Sequence, residues 1–100
     1  MVNRILLIIH EMRANPMEFN YLFFYTAIKA GAPSWWHYMS NVWIIKTTET
    51  ARACECRLMK YISSVDNLFI IEIRDGDVGG WLPGDAWKWI SDNTPLKVKH

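Results

Sequence analysis

His10 and Glu11 stand at the end of an apolar run, Ile5-Leu6-Leu7-Ile8-Ile9. An imidazole beside a carboxylate can hold a divalent metal or move a proton. The plain alternative is a strand end turning to solvent. A second concentration of usable chemistry is Trp35-Trp36-His37-Tyr38, followed closely by Val42-Trp43-Ile44-Ile45-Lys46-Thr47. Flat rings with polar handles either stack on a planar ligand or fill a core. On a strand only alternate residues share a face, so Trp36 acts with Tyr38 and Trp35 with His37. One of these pairs is expected in the core or at an interface, and Trp43 is expected in the core. Arg13, after the first apolar run, and Lys46, near the end of the second, are cations placed to meet an anion; solvated surface charge is the default for both.

Two further segments carry weaker signals. Residues 75–80, Asp-Gly-Asp-Val-Gly-Gly, could present backbone amides to a phosphate or carboxylates to calcium. Phosphate-binding fingerprints need a helix directly after the glycines, and Trp81-Leu82-Pro83 intervenes, so a plain loop is the better reading. Trp81, Trp87 and Trp89 are expected to pin a C-terminal helix, with Trp87 or Trp89 left partly exposed. No nucleophile, base and acid recur at a recognisable spacing, which makes an ordinary hydrolase hard to support.

The elements that must position these residues follow from hydrophobic period. Residues 3–10 read as a strand apolar on both faces, which predicts a central strand covered on both sides. Asn15-Pro16-Met17-Glu18 has the order of a helix start, with Asn15 as N-cap and Glu18 closing a capping box. Met17, Tyr21, Phe24 and Ile28 form the expected buried stripe, with Phe23 and Ala27 beside it, and Gly31 and Pro33 end the helix. The Ser40-Asn41 pair between two aromatic and β-branched runs predicts a hairpin over 35–47. A second helix begins at Thr48, with Glu49 near its positive end, Ala51, Cys54, Leu58 and Ile62 facing inward, and Arg52, Glu55, Arg57 and Lys60 facing water. Residues 67–74 alternate as a strand, and a short helix spans about 84–91.

The order β-α-β-β-α-β plus a C-terminal helix predicts an α+β fold of ferredoxin-like plan, with a four-stranded antiparallel sheet in the order 4-1-3-2. It is expected as a single domain over 1–93 with a frayed tail over 94–100. Two helices cover one face of such a sheet. Leu6, Ile8 and alternate residues of 42–45 are then expected to load the other face with apolar groups that need a lid. Either the C-terminal helix, through Trp87 and Ile90, or a second copy supplies it, and a homodimer is the expectation.

The chain has 100 residues, about half of them apolar, and a formal charge of +1. A near-neutral balance weakens sequence-independent binding to duplex nucleic acid and leaves room for small anions, local basic patches and protein partners. Nothing resembles a signal peptide, the first apolar run is too short to span a membrane, and a cytoplasmic location is expected. Cys54 and Cys56 lie two apart in the second helix and cannot pair with each other; they read as reduced thiols, with Cys54 toward the core.

The hydrophobic first strand, the "AIK" helix end, "SWWHYMSNVWIIKT", "LFIIEI" and "GGWLPGDAWKWI" together resemble the SinR-like proteins of bacteria and phage over about residues 3–91. That group is similar in fold to the CRISPR-associated protein 2 family of endoribonuclease and integration subunits. The resemblance implies a ferredoxin-like fold and a dimer built across sheets. In the CRISPR family an aspartate ends the first strand, and a symmetric pair of them is proposed to hold a divalent metal; the matching position here is Glu11.

Three functions are consistent with these residues. The first is a non-catalytic homodimer that binds a nucleotide or short single-stranded nucleic acid through Trp35, Trp36, His37, Tyr38, Arg13 and Lys46. Following the resemblance, a phage member could sequester a cyclic nucleotide signal used in bacterial defence. The second is a metal-dependent endoribonuclease with Glu11 as metal ligand, His10 and Glu11 as catalytic candidates, and magnesium or manganese as the ion. The third is an interaction or regulatory module. No cofactor is expected outside the nuclease reading, and no membrane partner.

Overall fold

The computed structural model describes residues 2–15 and 20–98. Strand β1 (Arg4–Glu11) leads to helix α1 (Leu22–Ala30), the hairpin β2 (Ser34–Met39) and β3 (Val42–Thr47), and helix α2 (Ala51–Leu58) with a short 3₁₀ turn behind it. Strand β4 (Asn67–Ile73), β5 (Gly76–Asp77), helix α3 (Gly84–Asn93) and β6 (Leu96–Lys97) follow. Four strands form an antiparallel sheet in the order β2-β3-β1-β4. The first and third strands are therefore central, as their two-faced apolar patterns require.

The faces are divided the other way round from the sequence expectation. Leu6 and Ile8 lie fully buried beneath α1 and α2, in one cluster with Phe24, Ile28, Trp43, Ile45, Cys54 and Leu58. The far face carries Ile5, Leu7 and Ile9. A strand apolar on both sides gives no hint of which side the helices take, because alternation fixes only which residues go together. The lid on the far face is α3: Ala86, Trp87 and Ile90 pack on Ile5, Trp36 and Ile44. It covers only part of that face. Toward the β4 edge, Phe69 is 58% and Ile71 46% exposed.

Helix α1 buries Phe24, Ala27 and Ile28 at the spacing of one helical face, while Phe23 is exposed. It starts later than the Asn15 signal suggests. The Asn20 side-chain oxygen accepts from the Leu22 amide at 2.9 Å, and the expected capping box with Pro16, Met17 and Glu18 falls outside the described residues. Helix α2 begins at Ala51, three residues after Thr48, and is capped by Thr50, whose hydroxyl accepts from the Ala53 amide at 3.1 Å. Glu49 turns instead to Arg57, making two charge-assisted bonds of 2.8 Å to its guanidinium, which also donates to the Ala27 carbonyl. Arg57 is thus half-buried in a polar knot and not on the water-facing side.

The hairpin turns at Ser40-Asn41, and β2 slips register between Trp36 and Met39, a bulge in this edge strand. At the other end of the chain, residues 94–98 carry a pairing that composition does not announce. Strand β6 runs parallel to β5, and Leu96 and Val98 join the cluster around Trp87. Among the described residues no helix is long and apolar enough to cross a membrane.

Candidate functional site

The hairpin distributes its rings between the two faces. Trp35 and His37 point to the side of α1; Trp36 points to the side of α3, where it is buried and donates from its indole nitrogen to the Ala86 carbonyl at 3.2 Å. Tyr38 lies beside it, ring centres 5.3 Å apart, half exposed. The Trp36 and Tyr38 pair therefore anchors α3. Trp87 shares that role and is buried, and Trp89 donates to the Ser34 hydroxyl at 2.8 Å. Trp81 does not: it is 99% exposed on the loop before α3. A residue three positions ahead of the helix is not carried inward by it.

The other pair builds an aromatic row. The His37 ring lies flat on Trp43, centres 3.7 Å apart and planes 11° from parallel, fixed by a 3.0 Å bond from its Nδ1 to the Val42 carbonyl. Tyr25 of α1 stacks against Trp43 from further back at 6.0 Å. Trp35, 41% exposed, stands 5.5 Å from Trp43 at the open end, with the Lys29 ammonium 4.7 Å from its ring centre. A cation that close to an indole face is electrostatically favourable. Tyr25 and Lys29 were missed by the sequence reading. Their spacing of four on α1 puts both on one face, which was the available signal.

The row continues inward to His10, 6.0 Å from Tyr25 and 5.1 Å from Phe24. His10 is only 3% exposed, and neither ring nitrogen has a hydrogen-bond partner among the described residues. Burial first, and then the neighbouring His37, hold its pKa below the ordinary value; Asp66 opposes this weakly. The imidazole is kept neutral.

His10 and Glu11 are thus not a working pair. Strand alternation sends the imidazole into the core and the carboxylate out on the opposite face. Glu11 accepts from Asn67 at 2.8 Å and from Arg13 at 3.0 Å, and these two donors hold its carboxyl below the usual range. Between the ends of β1 and β4 lies an open hollow of about 320 Å³ walled by Ile9, Glu11, Asn41, Asn67 and Phe69, with His10 in its wall although its ring faces away. Beside it the Asp66 carboxylate gathers the amides of Arg13 and Ser63, each at 2.7 Å, and the Tyr21 hydroxyl at 2.8 Å. Despite partial desolvation, those donors keep it ionised below its usual range.

The two predicted cations do not meet. Arg13 belongs to the Glu11 end of β1, whereas Lys46 pairs with Ile5 at the other end, six residues or about 20 Å away along the strand. Nor do the groups fit a metal in one copy of the chain. No cluster of three or more His, Cys, Asp or Glu able to hold an ion occurs among the described residues, and Glu11 already faces the Arg13 guanidinium. Cys54 is buried and Cys56 exposed, both unpaired. Compared with models of known families, with curated proteins and with solved structures, the chain matches none.

Proposed function

We propose that this chain is a non-catalytic, homodimeric binding protein for a nucleotide or a short single-stranded nucleic acid, built on a ferredoxin-like scaffold to which α3 is added. The observation that carries the ligand reading is Trp35: a half-exposed indole on an edge strand, backed by the Trp43–His37 stack and flanked by the Lys29 ammonium. A base can lie on such a ring while the ammonium meets its phosphate. The rings that support this reading are Trp35 and, behind it, His37; Trp36 is committed to packing. The scaffold assignment is supported by the antiparallel order β2-β3-β1-β4 with α1 and α2 on one face. The dimer is supported by the apolar side chains left open on the other face, among them Phe69 and Ile71.

Narrower forms of the reading stand on the same features. These are kinship with the SinR-like group, capture of a cyclic nucleotide signal by a phage member of it, and a reducing cytoplasmic setting, which the two unpaired thiols support. The nuclease alternative has no observation in its favour, since Glu11 is occupied by Asn67 and Arg13.

The test is a titration of intrinsic tryptophan fluorescence with mononucleotides, cyclic nucleotides, cyclic dinucleotides and short RNAs. One of these classes is expected to quench saturably. A stacking contact is worth about 1–3 kcal/mol, so Trp35→Ala should weaken binding roughly 5- to 150-fold with circular dichroism unchanged. Trp35→Phe should keep most of it. Absence of quenching by every class, or unchanged affinity in Trp35→Ala, overturns the reading.

A further inference from the structure

The two edges of the sheet are treated differently. Edge strands expose unpaired backbone groups, and folds that stay single copies blunt them with bulges, prolines or charges. Strand β2 carries such a bulge, between Trp36 and Met39. Strand β4 does not. Its seven residues pair with β1 in unbroken register, from Glu11↔Asn67 to Ile5↔Ile73. It has no proline, no lysine and one charge, Glu72. Its other side has no strand partner among the described residues.

We propose that β4 is a dimerisation strand, pairing antiparallel with β4 of a second copy about a twofold axis at Ile70 and extending the sheet to eight strands. The proposal rests on the homodimer reading above and specifies how the copies meet. Like faces must match across the axis, so residues of the same parity face each other, and the register centred on Ile70 is the one that pairs all seven residues. It sets the half-exposed Phe69 beside Ile71 of the partner subunit, a good cross-strand pair. On the helix side it brings Glu72 of the partner subunit opposite Leu68. Leu68 lines a groove between β4 and α2 together with Arg52 and Glu55, and Arg52 is 84% exposed. Within one copy Glu72 already pairs with Arg4 at 3.5 Å and Arg74 at 3.7 Å, and Arg52 with Glu55 at 3.6 Å, so across the axis the arginine would join an existing cluster of charges. The charge match is with this chain's own strand, which favours a second copy over an unrelated extended peptide.

The experiment separates this geometry from a dimer of stacked faces. At the axis the two Ile70 Cα atoms would lie about 4.5–5.5 Å apart, within reach of a disulfide. In stacked sheets about 10 Å apart, Ile70 would point away from the partner, toward its own helices. The 100-residue chain carrying Cys56→Ser and Ile70→Cys is therefore oxidised with copper-phenanthroline and oxygen, after sedimentation has established the mass of the native chain. A native dimer that cross-links in high yield supports the proposal. So does a several-fold weaker association at low salt in Arg52→Glu, a change at an exposed position. A native dimer that fails to cross-link overturns edge pairing and leaves the homodimer standing. A native monomer at high micromolar concentration overturns both.

Discussion

Lowering the pH should destabilise this fold through one residue. His10 is buried between Phe24, Tyr25 and the sheet, with His37 and Asp66 as its charged or titratable neighbours, and its pKa is held below the ordinary value of 6.5, first by desolvation. A group whose folded pKa is depressed binds its proton more readily in the unfolded chain. Its contribution to stability is therefore complete above pH 6.5 and falls as the pH drops from there toward the folded-state pKa. One proton taken up on unfolding gives a slope of at most about 1.4 kcal/mol per pH unit. Between pH 7.5 and 5.5 the loss is then at most about 1.4 kcal/mol, since only the last unit lies below 6.5; for a domain of this size it lowers Tm by roughly 5–10 °C. The carboxylates do not confuse this window. Glu11 and Asp66 are also depressed, but from ordinary values near 4, so their losses come at more acid pH. Urea unfolding of the native chain and of His10→Leu at half-unit intervals provides the assay. Leucine fills a similar volume and removes two unpartnered nitrogens, so the variant should be flat in this window. A flat native profile, or an equal slope in His10→Leu, refutes the reasoning.

Other perturbations test other parts of the fold. Trp36→Ala removes a buried indole and its bond to the Ala86 carbonyl; it should cost about 3–5 kcal/mol and make α3 sensitive to limited proteolysis. A Cβ at Gly31 would collide with the Arg57 guanidinium, so Gly31→Ala should cost about 2 kcal/mol by loosening the bonds to Glu49, and much less in an Arg57→Ala background, as denaturant melts of the four proteins in a double-mutant cycle would show. Burial, with help from the Glu49 charge, pushes the Cys54 thiol up to about 11, so an aromatic disulfide reagent at pH 8 should titrate one thiol, Cys56, in the native chain and two in guanidinium.

Local pattern was enough to locate β1, the hairpin, α2 and β4, because each has a clean period and a recognisable stop. It was also enough to separate Trp35 and His37 from Trp36 and Tyr38. It did not reveal which face of the sheet the helices take, because Leu6 and Ile8 are as apolar as Ile5 and Leu7. Nor did it find the start of α1 at Leu22 or the β5–β6 pairing, which is two residues long and held mainly by what surrounds it. At the candidate site, the mismatch of His10 with Glu11 follows from strand geometry alone and was readable. The part of Lys29 was readable only as far as its spacing of four from Tyr25, which puts both on one face of α1; how α1 lies across the hairpin is a tertiary fact.

The β5–β6 pairing has a kinetic consequence. It closes residues 76–98 into a loop pinned at its two ends, which touches the rest mainly through Ala86, Trp87, Ile90 and the indole donors of Trp36 and Trp89. Such a loop can lift away as one body while the four strands keep their ladders, so its amides should exchange with deuterium through a partial opening well before those of β1 and β3.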